Sequence, residues 1–294
     1  MNSRLRPLCV AATLALATLC TTRGTFAQAR GGTQTRRAQP AQPTRPTAPA
    51  QPTQAVKPPS WTQKTPDGQS DLQGYWSAVV PMITSSEGVI PPLSAEGQRR
   101  AAERAAARKG VGIWDSAQTA PFGARCLILD HSGPPMLSAN YNNGYQFVQT
   151  PGYVTILVEM VHHARIIPID GRPRMPGAVR QWTGSSRGHW EGETLVVETA
   201  NFNGKFPIRG SSEQIRLTER FTRVDADTIR YQFTVDDPAT WTKPWSAEQP
   251  MRKITGPIFE HACHEGNYDL RNLLTTARVL EKKAADEAAK KGSR

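Results

Sequence analysis

Apolar and polar residues alternate along much of the chain between residues 145 and 254. The clearest case is the stretch 228–235, in which Ile229, Tyr231 and Phe233 fall on one side and polar residues lie between them. Successive side chains of a β-strand point to opposite faces, so this alternation predicts a strand with one buried face and one wet face. The same pattern predicts strands over residues 145–149, 154–161, 163–169, 187–190, 194–199, 215–224, 228–235 and 245–254.

Short turns join these predicted strands. Residues 190–194 (WEGET) and 224–228 (VDADT) place Gly, Asp or Glu between β-branched runs, which is typical of hairpins and predicts antiparallel neighbours. A further strand opens at residues 71–76 (DLQGYW). A meander of this kind must cover its edges, and closure into a barrel does so. We therefore expect a mainly β fold, an antiparallel meander that closes into a barrel.

Two helices are expected beside the strands. Ser94 has the residue type of an N-cap and precedes AEGQRRAAERAAARK, whose alanines and arginines favour helix. The second helix is predicted from about residue 267, capped by Gly266 or Asn267. Its apolar side carries Leu270, Leu273, Leu274, Ala277 and Leu280. We expect residues 61–294 to form a single β-rich domain with an N-terminal and a C-terminal helix.

The N-terminus has the pattern of a cleaved secretory signal. Arg4 and Arg6 precede an apolar run over residues 8–19, and Ala27-Gln28-Ala29 supplies the small residues of a cleavage site. We expect a signal peptide over residues 1–29, cleavage near Ala27 or Ala29, and a periplasmic or secreted product. A lipid anchor at Cys20 is disfavoured, because Leu19 stands where a lipoprotein signal has a small residue. No later stretch has the length of about 20 apolar residues that a transmembrane helix needs.

The segment 30–60 has the composition of a disordered tether. It consists mainly of Pro, Gln, Thr, Ala and Arg, which bury too little apolar surface to offset the entropy of ordering. Residues 1–60 carry eight of the formal +11 charges and no acidic residue, which leaves +3 for the folded part. Most of the basic charge therefore lies outside the folded part, and we expect no nucleic-acid partner.

Cys126 and Cys263 are the two cysteines that remain after removal of the signal. In an oxidising compartment such a pair predicts one disulfide, worth roughly 3–5 kcal/mol for so long a loop. The alternative is a metal site built from His261, Cys263 and His264, which lacks a second pair of ligands at suitable spacing. We expect the disulfide and no metal.

Charged residues interrupt the apolar strands at two places. The run 154–161 passes directly into His162-His163-Ala164-Arg165, and Glu219 falls in phase with apolar residues on the core face of its strand. Adjacent residues of a strand face opposite ways, so at most one of the two histidines points inward, and the pattern does not decide which. A buried carboxylate needs a cation, and Arg165 or Arg187 is the expected partner of Glu219. If His162 and Arg165 act at one site, a bulge or bend near His162 is required.

Loops rich in hydrogen-bonding side chains supply further candidates. Residues 141–145 (YNNGY) and 264–268 (HEGNY) are typical of segments that carry ligands at the mouth of a scaffold. A disulfide at Cys263 would bring His264 and Glu265 near Asp130 and His131. The predicted catalytic residues are His162, Arg165, Glu219, His264 and Glu265, and the predicted substrate-binding residues are Tyr141, Asn143, Arg172, Arg187 and His189.

Four stretches of the sequence are distinctive: EMVHHARIIPIDGRP, RGHWEGETLVVETANF, ERFTRVDADTIRYQFTVDDPATWTKPW and HACHEGNYDLRNLL. With them the chain resembles, over about residues 71–278, a large family of secreted, β-rich bacterial proteins of uncharacterised function, which implies a compartment and a fold but no activity. Gly74-Tyr75-Trp76 is also similar to the Gly-x-Trp of the first strand in lipocalin-like (calycin) barrels, which implies an internal ligand cavity.

Two functions fit these features. The chain lacks a phosphate-binding glycine loop, a Gly-x-Ser-x-Gly elbow, a His-Glu-x-x-His helix and a haem motif, so we expect no cofactor. The first hypothesis is a barrel-like enzyme that acts on a small anionic or aromatic molecule by His, Arg and Glu acid–base chemistry, as a lyase, isomerase or hydrolase. The alternative is a non-catalytic, lipocalin-like protein that binds an apolar or aromatic small molecule. Neither substrate nor oligomeric state follows from the sequence.

Overall fold

Ten β-strands pair into one antiparallel sheet in the computed structural model of this chain, which describes residues 60–78, 82–83, 88–112, 114–116, 119–129, 132–137 and 141–292. The predicted signal peptide and nearly all of the predicted tether lie outside these residues. The strands are β1 (Gly74–Ala78), β2 (Met82–Ile83), β3 (Gly144–Thr150), β4 (Tyr153–Val158), β5 (Ala164–Pro168), β6 (Ser185–Glu191), β7 (Thr194–Ala200), β8 (Arg216–Asp225), β9 (Thr228–Asp236) and β10 (Trp245–Lys253).

The sheet curls into a nearly closed barrel. Its strand order is β5-β4-β3-β1-β10-β9-β8-β7-β6, with β2 paired beside β10. The two end strands, β5 and β6, approach each other without forming a ladder. Gly188 of β6 is packed so closely that a Cβ atom there would lie 2.8 Å from Ile169 and 3.1 Å from Ile167. The predicted mainly β meander that closes into a barrel is confirmed, and we call the gap between β5 and β6 the seam.

The interior of the barrel is filled with side chains. Phe221 stacks on Tyr231 with 4.7 Å between ring centroids, and Phe147 meets Phe221 edge to face at 5.5 Å. Burial of large aromatic rings dominates the energy of such a core. The largest fully buried side chains include Trp76, Trp245, Tyr145, Tyr231, Phe147, Phe221 and Phe233. The described part of the barrel is therefore a packed core at the level of these rings.

Two helices flank the barrel. Helix α1 (Ala95–Arg108) begins after Ser94, whose Oγ accepts a hydrogen bond from Gly97 N at 3.0 Å. Helix α2 (Tyr268–Gly292) begins after Asn267, whose Oδ1 accepts from Leu270 N at 3.3 Å, as the cap prediction requires. The apolar side of α2 is half-buried only near its start, and Leu280 is 60 % exposed.

The two ends of the barrel differ. Strands β3, β5 and β6 begin at one end, which we call the upper end. The lower end has tight hairpin turns, such as residues 191–194 and 225–228. The long connections, which include residues 88–112, 119–129 and 201–215, lie at the upper end, so this end carries the surface with room for a site.

Candidate functional site at the seam

A buried ion pair links two strands that are not neighbours in the sheet. Arg165 of β5 donates to Glu219 of β8 through Nη1–Oε1 at 3.0 Å and Nη2–Oε2 at 2.5 Å. Both side chains are buried, Glu219 completely. Burial opposes the charge of Arg165, but the adjacent Glu219 outweighs this and raises the pKa of Arg165 above its usual value. Of the two cations predicted for Glu219, the structure selects Arg165.

Tyr231 extends this pair into a network. Its hydroxyl donates to Glu219 Oε1 at 2.7 Å and accepts from Met136 N at 3.1 Å. Burial, followed by the charge of Glu219, raises the pKa of Tyr231 well above its usual value, so the hydroxyl keeps its proton. Gln249 of β10 donates to Met136 O at 2.7 Å. Both backbone groups of Met136 are thus held inside the barrel, and we call residues 132–137 the plug.

A sharp corner separates β4 from β5 and takes up the end of the strand predicted over residues 154–161. Residues Met160–His162 form a single tight turn, with Val161 at φ 54° and His162 at φ 50°. Two successive left-handed residues, one of them β-branched, are strained conformations of the kind that clusters at functional sites. The strand predicted over residues 154–161 ends three residues early, at Val158, and the bend near His162 that a joint site with Arg165 requires is present. His162 is exposed on its outer side.

His163 is the histidine next to Arg165 and the seam. Burial, assisted by the charge of Arg165, lowers the pKa of His163 to about 4, so its imidazole is neutral at physiological pH. Its Nε2 and the Nε of Arg165 are buried without a hydrogen-bond partner among the described residues. Buried polar groups in native proteins are nearly always bonded, so two neighbouring orphaned nitrogens call for an explanation.

A pocket of about 210 Å³ opens at the seam beside these residues. His163, Arg165, Ser185, Ser186 and Arg187 line it, together with residues of the segment 181–184. The barrel is closed by direct packing at Gly188, and the pocket lies nearer the upper end, where β5 and β6 begin. The structure therefore brings two predicted residues, Arg165 and Arg187, to one pocket. We call it the seam pocket.

Arg187 adds a charge without a carboxylate partner in the described structure. Its guanidinium donates to Pro173 O at 2.9 and 3.1 Å and to Ser186 O at 2.7 Å. These bonds to neutral carbonyl oxygens fix the side chain, and Glu198, which stands opposite Arg187 in the β6–β7 ladder, pairs with Arg174 instead. None of the described residues that line the seam pocket is acidic. Arg187 is therefore a pocket-lining cation that forms no ion pair among the described residues.

Other predicted residues lie away from the seam pocket. His189 and Arg172 are exposed: His189 contacts Glu191 at 3.2 Å, and Arg172 pairs with Asp170 and donates to Tyr153 Oη at 2.6 Å. Asn143 donates to Ala78 O at 2.5 Å. None of these three described residues lines the seam pocket.

Tyr141, His264 and Glu265 are also exposed. Tyr141 lines a different cavity at the upper end, next to Cys263. Cys126 and Cys263 form the predicted disulfide, with sulfur atoms 2.08 Å apart. Asp130 and His131, the predicted neighbours of His264, lie outside the described residues.

Sequence reasoning missed Tyr231, Gln249 and Glu159. Tyr231 was placed in the core as an apolar residue, and its position two places from Phe233 gave no sign of a bonded hydroxyl. Glu159 accepts from Asn142 Nδ2 at 2.9 Å and is buried below the corner. Like Glu219, Glu159 is a charged residue within an apolar run, and this pattern indicates a buried carboxylate.

The chain matches no protein-family model, and no curated protein matches its sequence. The described residues contain no cluster of three or more His, Cys, Asp or Glu side chains suited to a metal ion. None of the helices in the described part of the chain is long and apolar enough to cross a membrane.

Proposed function

We propose that this protein binds a small organic anion in the seam pocket. The observation that carries the proposal is the convergence of Arg187, Arg165 and His163 on a pocket whose described lining contains no acidic residue. A carboxylate there would compensate the charge of Arg187 and accept hydrogen bonds from it. Charge-assisted bonds of this kind are about twice as strong as neutral ones.

The size of the pocket limits the ligand. A volume of about 210 Å³ is below the range of drug-sized sites, which begins at roughly 300 Å³. It corresponds to about seven water molecules at about 30 Å³ each. Ser185, Ser186 and Thr183 offer hydroxyl groups, so a short carboxylate with its own hydroxyl or keto group fits better than a purely apolar acid.

We place this function outside the cytoplasm. The Cys126–Cys263 disulfide supports an oxidising compartment, where such bonds persist. The signal-like N-terminus and the resemblance to secreted β-rich proteins support the same location, periplasmic or secreted.

Calorimetric titration tests the proposal. The probes are acetate, glycolate and inorganic phosphate at constant ionic strength, and we expect glycolate to bind most tightly. Arg187→Gln and Thr183→Val should each weaken glycolate binding, Arg187→Gln by about tenfold or more. Arg220→Gln is the matched control, because Arg220 is an exposed arginine paired with Glu191. Absence of binding by the wild type, or equal loss in the control, would remove the proposal.

An acid–base enzyme is the second candidate, and one observation favours it. His163 is a half-buried, neutral imidazole beside a cation, which is the form a general base must have before it accepts a proton. A pKa of about 4 makes it a weak base at neutral pH, which is why binding ranks first. As an enzyme, the protein would use His163 as the general base, the role expected of His162 from the sequence, and Arg165 and Glu219 would position it. His264 and Glu265, also predicted as catalytic, are exposed.

Hydrogen–deuterium exchange distinguishes the two candidates. An enzyme of this kind should accelerate exchange of the methyl protons of pyruvate, the probe, and His163→Gln should abolish the acceleration. Binding of pyruvate without accelerated exchange supports the binding protein alone.

A further inference from the structure

A second, larger cavity lies at the upper end of the barrel, separate from the seam pocket. Its volume is about 540 Å³, within the range of about 300–1,000 Å³ that is typical of small-molecule sites. Trp182, Phe202 and Phe206 provide its aromatic lining, and Leu129 and Leu137 provide aliphatic lining. We call this cavity the aromatic cleft.

Two aromatic rings of the cleft, Trp182 and Phe206, pack against Phe122, which lines the adjoining cavity. Phe122 meets Trp182 edge to face at 5.4 Å and Phe206 at 5.8 Å. Trp182 is nevertheless 37 % exposed, although an indole of this size is usually well buried. An exposed aromatic ring beside others is typical of a surface that binds a partner or ligand.

Cations surround these rings. Arg108, in the last turn of α1, and Arg209 line the cleft directly. Arg125 lies 4.6 Å from the Phe122 ring, and Lys205 lies 5.8 Å from the Trp182 ring. None of the described residues that line the cleft is acidic. The cleft therefore combines aromatic surface with positive potential.

Arg209 occupies a constrained position at this cleft. Its φ is 48°, a left-handed conformation that is uncommon outside glycine, in the short turn Ile208–Gly210. This turn is tied to α1, because Arg100 Nη2 donates to Gly210 O at 2.9 Å. Arg108 and Arg209 thus belong to two segments that a hydrogen bond connects.

The opposite wall of the cleft is equally fixed. It includes Pro134 and Leu137 of the plug, and the plug is held by Tyr231 and Gln249 through Met136. Ile128 and Leu129 follow Cys126 of the disulfide closely in the chain. A cleft whose walls are fixed before the ligand arrives loses less entropy on binding.

We infer that the aromatic cleft binds a planar aromatic carboxylate. The ring packs against Trp182 and Phe206, and the carboxylate pairs with Arg108 and Arg209. A neutral aromatic ligand would leave both arginines uncompensated, and an aliphatic acid would lose the contacts with the rings. An adjoining cavity of about 550 Å³ shares Ile128, Leu129 and Phe206 with the cleft, which leaves room for a second fused ring.

This site is independent of the proposed function at the seam. Trp182 faces the aromatic cleft, whereas Gln181 and Thr183 line the seam pocket, so alternate side chains of one segment serve the two cavities. The ligands also differ, because a fused aromatic acid is too large for about 210 Å³.

Calorimetric titration with four probes tests the inference. They are 2-naphthoate, benzoate, 2-naphthamide and cyclohexanecarboxylate. We expect 2-naphthoate to bind more tightly than benzoate. The neutral 2-naphthamide should bind at least about tenfold more weakly than 2-naphthoate, and the non-aromatic cyclohexanecarboxylate at least about tenfold more weakly than benzoate. Equal affinity for 2-naphthoate and 2-naphthamide would overturn the role of the arginines.

Variants locate the binding. Trp182→Ala should weaken 2-naphthoate binding by about tenfold or more, and Trp182→Phe should restore most of it. Arg209→Gln should reduce the preference for the acid over the amide while the amide affinity stays unchanged. Arg174→Gln, an exposed arginine paired with Glu198, is the control and should bind as the wild type does. Unchanged 2-naphthoate binding in both Trp182→Ala and Arg209→Gln, or no binding by the wild type, would refute the inference.

Discussion

Arg165 and Glu219 form a bidentate ion pair inside the barrel, and their strands, β5 and β8, are not neighbours in the sheet. The pair therefore crosses the interior rather than following a ladder. Tyr231 and the plug join it, so one network connects the seam, the opposite wall and the upper end. Loss of one partner would leave an uncompensated buried charge.

The first prediction concerns this pair. Glu219→Gln should lower the free energy of unfolding by about 3–5 kcal/mol, because Arg165 then keeps its charge in the core. The double variant Arg165→Met/Glu219→Leu should be less destabilised than Glu219→Gln, since no charge remains buried. Chemical denaturation measures both. Stability of Glu219→Gln within about 0.5 kcal/mol of the wild type would contradict the buried pair.

The second prediction concerns Tyr231. Tyr231→Phe should cost about 1–3 kcal/mol, because the buried N–H of Met136 loses its acceptor. The amide of Met136 should also exchange faster with deuterium, as the plug loosens. Tyr153→Phe serves as the comparison, since the Tyr153 hydroxyl meets Arg172 at the surface. Equal losses of unfolding free energy in Tyr231→Phe and Tyr153→Phe would argue against a plug held in place by Tyr231.

The third prediction is a pH dependence. The pKa of His163 is lowered to about 4 in the folded protein, below the unfolded value of about 6.5, so the unfolded chain binds more protons between these pH values. The stabilising contribution of neutral His163 is fully present above about pH 6.5 and is lost as the pH falls towards 4. The contribution of His163 to the slope of the unfolding free energy against pH is at most about 1.4 kcal/mol per pH unit.

A matched variant isolates this effect from the titration of carboxylates. Chemical denaturation at several pH values from 4 to 7 measures the free energy of unfolding. This free energy should change more steeply with pH in the wild type than in His163→Gln. Identical pH profiles for the two proteins would show that His163 is not buried in its neutral form.

The fourth prediction concerns the disulfide. Cys126→Ser/Cys263→Ser should lower the free energy of unfolding by roughly 3–5 kcal/mol, because the long loop closed by the bond gains entropy in the unfolded chain. Reduction of the wild type by dithiothreitol should have the same effect. If dithiothreitol changed the free energy of unfolding of the wild type no more than that of the double variant, the disulfide would be absent in solution.

The strands could be read from the sequence because their physics is local. Alternation with a period of two determines which face of a strand is buried, and it placed Glu219 on the core face. It also named Arg165 as one of two partners, because a buried carboxylate requires a cation. The choice between Arg165 and Arg187 needed the register of non-neighbouring strands, which no local pattern contains.

The sequence pattern does not predict the corner between β4 and β5 or the aromatic cleft, for a different reason. Val161 adopts a left-handed conformation that its own preferences oppose, so tertiary contacts impose the turn and no Gly or Asn announces it. Phe122, Trp182 and Phe206 come from three separate loops without periodicity. Only the folded barrel brings these rings together.

The seam pocket is the central claim, and nuclear magnetic resonance tests it most directly. In a titration of the labelled protein with glycolate, the amide signals of residues 163–166 and 184–187 should shift and saturate together. The signals of the lower hairpin turns, residues 191–194 and 225–228, should stay in place. Shifts confined to those turns, or no saturable shift at the seam, would contradict the account.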